Sequence, residues 1–355
     1  METIGGVVIV TRIALLMTKE QQVELELFLR SSKVGDKYKL IPVQSGRNSQ
    51  VFRVHHSSGD WFLKKYHQHP EDKRDRLGTE FRFLQFLWDK KVRQIPEPIM
   101  CDTVHHLGLF SFLEGLRPKE VELRHISQAV QFIFQINQFR EFAADSTLLS
   151  ASEACFSVNE HLNSAERRLK NLTGLVGDTE LVKQAQEFVE KFLLQKWYQI
   201  KKHIEKVIRK NDFKESLSKE EKILSPSDFG FHNTLESGNG GLSFIDFEYA
   251  GWDDPVKLIC DFGCQPEVPV NRELWLQFLN ELSEKLEIPS ISQRAKVLLP
   301  VYRIKWCCIM LNEFRSVGFT RRLHAGNNRI NLLDLQLKKT QNYFNQHLQG
   351  KSWLM

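Results

Sequence analysis

Asp228 and Asn233 form a D-x-x-x-x-N pattern inside the stretch LSPSDFGFHNTL, and Asp246 follows thirteen positions later, directly after the apolar run LSFI. An Asp placed to take a proton from a hydroxyl, with an Asn and a second Asp offering hard oxygen donors to a divalent cation, is the equipment of phosphoryl transfer from a nucleotide. That reaction asks the protein for position and charge neutralisation rather than covalent chemistry. Each residue also has a plain structural reading: Asp228 as a turn residue ahead of Gly230, Asp246 as a strand-end cap. The three together, in this order, favour the chemical one.

Two further residues join them from upstream. Lys64 lies on the strand-like run Trp61 to Tyr66, and strand alternation puts it on one face with Phe62, which favours it over Lys65. Glu80 opens the amphipathic run EFRFLQFL and supplies a partner for that lysine. Between the first two strand-like runs stands the polar turn Ser45-Gly46-Arg47-Asn48-Ser49, with one glycine to cover phosphates. His232 is expected as a hydrogen-bonded loop residue, Asp254 and Asp261 as acids bracing the loop, and Glu248 as an acid just outside the metal set.

The Leu224 to Phe262 stretch resembles the aminoglycoside phosphotransferase and choline kinase family, whose loop usually reads H-G-D-x-x-x-x-N. Asp254-Pro255 and Asp261 stand where that family has its later acids. Pro226 departs from the pattern by replacing the histidine that supports the loop, and proline cannot donate a hydrogen bond. The resemblance runs from about Lys37 to Phe262. It implies an α+β, two-lobed kinase-like fold, with Asp228 as catalytic base and Asn233 and Asp246 as Mg²⁺ ligands. It further implies that Gly46, Asn48, Ser49, Lys64 and Glu80 serve the nucleotide phosphates, and that Ser111, Phe112 and Leu113 line the adenine edge. The nucleotide would be ATP, with GTP open, and the acceptor a hydroxyl of a sugar, amino sugar or amino alcohol. A nucleotide-binding scaffold without turnover is the alternative, motivated by Pro226. A protein kinase fits poorly, because the helix-forming run Pro255 to Cys264 leaves no room for an activation loop.

The elements that must position these residues are legible in outline. Thr18 to Ser31 reads as a capped helix, and Tyr38 to Val43, Gln50 to His55, Trp61 to Tyr66, Ile99 to Thr103 and Gly108 to Phe112 read as strands. From Pro118 onward the pattern is helical: His125 to Phe142, Cys155 to Leu172, Thr179 to Arg209, then Asn271 to Leu286, Ser292 to Phe314 and Ile330 to Leu348. The chain therefore divides into a leading segment at 1–34, a nucleotide-binding sheet at 35–115 and a helical lobe at 116–355. Helices over 118–222 are mixed to basic in charge, which points to a neutral or anionic acceptor. Arg303, Lys305, Arg315, Arg321 and Arg322 add a cationic tint later on.

Composition bounds the rest. The chain has 355 residues and a net charge of +5 with dispersed Lys and Arg, so a nucleic-acid partner is not expected. Six cysteines lack metal-type or disulfide spacing and fit a reducing cytosol. Gly5 to Met17 is too short and too interrupted by Arg12 to span a membrane and lacks signal-peptide features, and a start at Met17 is an alternative. A cytoplasmic location with no membrane partner is expected, and oligomeric state stays open.

Overall fold

In a computed structural model, residues 18–350 are described except 33, 35–36, 44–48, 69–71, 145–146, 178, 212–215, 289 and 316–328. The expected glycine hairpin with Gly46 and Asn48, the run Gly5 to Met17, and Arg321 and Arg322 lie outside the described residues. The chain begins with α1 (Lys19–Ser31), whose capping box pairs Thr18 with Gln21. A five-stranded antiparallel sheet follows, β1 (Lys39–Val43), β2 (Ser49–His56), β3 (Gly59–Tyr66), β4 (Pro98–Asp102) and β5 (Leu107–Ser111), in the order β1-β2-β3-β5-β4. Between β3 and β4 comes α2 (Arg76–Asp89), with Asp75 capping its start by accepting from Gly78 N at 2.8 Å.

The sheet is covered on one side by α1, where Leu25, Phe28 and Leu29 pack with Phe52, Val54, Leu63, Leu107 and Leu109. Its other apolar partner is α2, and here the packing crosses into the rest of the chain. Phe83, Leu84 and Leu87 of α2, with Phe110 of β5, belong to the same buried core as the downstream helices. Ring stacking marks the crossing point, Phe83 on Phe247 at 5.6 Å between centroids.

Downstream the fold is mostly helical: α3 (Leu123–Asn137), α4 (Val158–Lys170), α5 (Glu180–Phe188), α6 (Leu194–Asn211), α7 (Pro255–Cys264), α8 (Arg272–Leu286), α9 (Ile291–Met310) and α10 (Arg329–His347). Two helices are shorter than their patterns predict. The run to Phe142 ends at Asn137, whose side chain turns to bracket Leu224, donating to its O at 2.9 Å and accepting from its N at 2.8 Å. The run from Thr179 is divided by a π-turn at Val189–Leu193, whose wider winding keeps Val189 and Leu193 buried.

Four short strands frame the chemistry-bearing stretch: β6 (Ile223–Ser225), β7 (Thr234–Glu236), β8 (Leu242–Phe244) and β9 (Gly251–Asp253). The second pair forms a hairpin, β7 with β8, but β6 pairs with β9 across more than twenty residues rather than with a neighbour. The outer pair thereby encloses the loop of Asp228 and the turn of Asp246. The segment leaving β5 is tied to this frame: Leu116 N donates to Glu236 O at 3.0 Å and Glu236 N to Leu116 O at 2.8 Å. Gly115 makes the close approach possible, since its φ is 150° and a Cβ there would come within 2.8 Å of Glu236 O.

Candidate active site

Lys64 stands at the centre of an acidic cluster. Its Nζ donates to Glu80 Oε2 at 2.8 Å and to Asp246 Oδ1 at 2.7 Å, and it lies 3.2 Å from Glu248 Oε2. Burial would lower the pKa of this lysine, but Asp246, Glu80 and Glu248 hold it well above its ordinary value, so it is charged. Glu80 is fixed from three directions: Lys64 and the Tyr66 hydroxyl share Oε2, the latter at 2.5 Å, and Phe247 N donates to Oε1 at 3.1 Å. One glutamate on α2 thus grips β3 and the segment just after Asp246.

Asp246 sits in a left-handed conformation with φ 68°, costly for a β-carbon-bearing residue and retained where the surroundings over-determine it. Desolvation in the cleft raises its carboxyl above the usual carboxylate range, Lys64 opposes this, and Glu248 and Glu80 add to it. Ligand oxygens of Glu80, Asp246 and Glu248 lie within 4.8 Å of one another, a hard-oxygen set of the kind a divalent cation takes. Glu248, expected just outside the metal set, is only 2 % exposed and turns inward beside Lys64, close to the other two acids.

The Asp228 loop is held without the family histidine. Pro226 O accepts from Asp228 N at 2.9 Å, Ser225 Oγ accepts from Ser227 N at 3.0 Å, and Ser227 takes φ 67°. Beneath it, Lys257 on α7 donates to Ser227 Oγ at 2.9 Å and pairs with Asp253 Oδ2 at 2.9 Å and Asp261 Oδ2 at 3.6 Å. A buried ammonium supplies the hydrogen bond that Pro226 cannot. Asp261 also accepts from Lys305 at 2.8 Å and from Trp306 at 3.0 Å. Asp254 caps α7 and meets His161 at 3.0 Å and Arg294.

Asp228 itself faces His232, with Nε2 3.2 Å from Oδ1. Burial would raise the Asp228 carboxyl, but His232, then Lys257 and Lys305, bring it below its usual value, so it is ionised at neutral pH. Asn233 Nδ2 donates to Asp228 O at 3.0 Å, which leaves its oxygen as the atom available to a cation. Asp228, His232, Asn233 and Asp246 all line one cavity of about 480 Å³. That volume falls in the roughly 300–1,000 Å³ range of small-molecule sites.

Of the remaining expected residues, Ser49 opens β2 opposite Tyr66. The N–H groups of Ser111 and Phe112 are committed to Glu97 O at 2.9 Å and Asp60 O at 3.4 Å, so neither is a spare donor for a base edge. Leu113 has no such bond among the described residues. Sequence reasoning missed Tyr66, Lys257 and the place of Arg117, Arg167 and Arg168 in the cavity lining, while Lys305 and Arg315 were read as a cationic tint without a place in it. Tyr66 carried a signal, since it shares a strand face with Lys64; Lys257 carried one in its i,i+4 spacing from Asp253 and Asp261, but none for its bond to Ser227.

A model of the phosphotransferase enzyme family matches residues 39–265 of the chain. No curated protein is matched by the sequence. Among solved structures, a spectinomycin phosphotransferase in complex with ADP and spectinomycin superposes with a TM-score of 0.61 at 13% identity, covering 90% of this chain and 98% of that one. A choline kinase from Cryptosporidium parvum Iowa II gives 0.56 at 14% identity, covering 94% of this chain and 99% of that one. A choline kinase from Streptococcus pneumoniae gives 0.56 at 11% identity, with 92% and 100% covered. At these identities the likeness shows the kinase-like fold. Among the described residues, no helix is long and apolar enough to cross a membrane.

Proposed function

Because the chain belongs to the phosphotransferase enzyme family, we propose that it moves the γ-phosphoryl group of ATP to a hydroxyl of a small metabolite, of the sugar, amino sugar or amino alcohol class. The observation that carries this reading is that Asp228, Asn233 and Asp246 line a single cavity, and that Lys64, paired with Glu80, donates to Asp246 at 2.7 Å. Asp228 orients the acceptor hydroxyl and takes its proton, and His232 holds the carboxylate in place. Lys64 leaves the acid cluster to contact the nucleotide phosphates, with Glu80 keeping it on station. Asn233 and Asp246, with Glu248 beside them, would hold Mg²⁺, which when bound neutralises charge on the phosphate oxygens. Ser49 and Leu113 are the described residues nearest in role to the phosphate cover and the base edge. The six free cysteines fit a reducing compartment such as the cytoplasm.

The test is ADP release and nucleotide affinity in the Asp228→Asn protein against a panel of hydroxyl acceptors with Mg²⁺ and ATP or GTP. Turnover is expected to fall by roughly 10²- to 10⁴-fold while nucleotide affinity is kept. Turnover near wild type would remove Asp228 as the base. Nucleotide binding without turnover of any acceptor by the wild type would favour a scaffold.

A further inference from the structure

The cavity is lined by cations from five separate parts of the chain, together with the carboxylates of Glu153, Asp228, Asp246, Asp261, Glu267 and Glu313. Arg117 follows the Gly115–Leu116 crossing, Arg167 and Arg168 lie on α4, Lys257 and Lys305 come from α7 and α9, and Arg315 ends the 3₁₀ turn Leu311–Phe314. Half of these are already neutralised. Lys257 and Lys305 pair with Asp253 and Asp261, and Arg168 pairs with Glu153. Arg117, Arg167 and Arg315 have no side-chain hydrogen bond or ion pair among the described residues.

The Glu153 carboxylate in the cavity is held by three of these cations. Burial would raise Glu153, but Arg168, Lys305 and Lys257 bring it down to about 2. Arg117, Arg167 and Arg315 thus line one cavity without a carboxylate partner among the described residues, and an anion that enters would supply one. A cationic acceptor would have to approach three guanidinium groups that no described carboxylate neutralises. Guanidinium also suits phosphate and carboxylate oxygens by geometry, through paired N–H donors.

We propose that the acceptor is a hydroxyl compound carrying an anionic group, a phosphate monoester or a carboxylate, which Arg117, Arg167 and Arg315 hold while its hydroxyl faces Asp228. The inference rests on the phosphotransferase reading above. In the step it implies, the bond between the γ-phosphorus and ADP breaks and a bond from that phosphorus to the acceptor oxygen forms. The hydroxyl proton passes to Asp228, and the product leaves with one more phosphate than the acceptor brought.

The test is calorimetry on the full chain with two anionic probes, glycerol 3-phosphate and glucuronate, and their neutral counterparts glycerol and glucose. Each is titrated with and without a non-hydrolysable ATP analogue and Mg²⁺. One anionic probe is expected to bind at least about tenfold more tightly than its neutral counterpart, the gain of a charge-assisted hydrogen bond, and which one it is separates phosphate from carboxylate. Arg117→Gln/Arg167→Gln/Arg315→Gln should erase that preference and leave affinity for the ATP analogue unchanged. The proposal is overturned if neither anion is preferred, if the preference survives the triple substitution, or if that protein loses the nucleotide instead. Failure of the wild type to bind the ATP analogue would strike the phosphotransferase reading alone, since the anion titrations without nucleotide are read separately.

Discussion

Lys64 is held among three carboxylates: Glu80 at 2.8 Å, Asp246 at 2.7 Å and Glu248 at 3.2 Å. Removing a buried partner leaves the opposite charges uncompensated, a loss of about 3–5 kcal/mol. Lys64→Met should therefore destabilise the protein while creating a stronger site for a bare divalent cation. Mg²⁺ titrated calorimetrically without nucleotide should bind more tightly than to wild type, and ATP about tenfold less tightly. Unchanged Mg²⁺ affinity would show that the acids are not poised as a cation site. Much of this cluster was readable in the sequence. Strand alternation selects Lys64 over Lys65, and the residue types at 228, 233 and 246 specify hard-oxygen chemistry. The inward turn of Glu248 was not, because Glu248 and Asp246 are two residues apart and only the left-handed φ of 68° at Asp246 decides which way the chain leads between them.

At the scale of elements, the catalytic loop depends on α7. Lys257 is 2 % exposed and joins Ser227, Asp253 and Asp261, so it connects the loop before Asp228 to β9 and to its own helix. Lys257→Met should lower stability by about 3–5 kcal/mol, as expected for one partner taken from a buried charge network. It should also depress kcat while sparing the KM for ATP, since the nucleotide cluster around Lys64 is untouched. Denaturant unfolding and steady-state kinetics check both; a loss under about 1 kcal/mol would mean that Lys257 supports nothing. Helices and local strands were legible in outline from caps and periodicity, as Thr18 shows for α1, though the breaks at Asn137 and Val189 were not. The pairing of β6 with β9 was not, because three-residue strands carry little pattern and their register, Ser225 opposite Gly251, is set by tertiary packing.

Across the whole molecule, stability should carry the signature of one buried histidine. His161 on α4 meets Asp254 at 3.0 Å and the Tyr302 hydroxyl at 2.6 Å, with Arg294 also on Asp254. Burial would lower its pKa, but the hydrogen bond to Asp254 raises it from 6.5 to about 9. The folded state thus holds a proton that the unfolded state releases first. Its contribution is full below about pH 6.5 and is lost as pH rises through about 9. Over that window wild type should lose on the order of 3 kcal/mol, and His161→Phe should show a flatter profile; parallel profiles in denaturant melts would remove His161 as the source.

The shared core has a consequence for how the chain can be divided. Phe83, Leu84 and Leu87 are contributed by a helix that lies, in sequence, inside the five-stranded sheet, yet they are buried with the helices beyond residue 115. Covalent order and packing order therefore disagree. A fragment severed at 115 would carry these side chains bare to water, and its complement would open onto an empty berth beside Phe247. The two halves thus share one core, and an exchange of the half beyond residue 115 for another would have to bring along a matching α2 face.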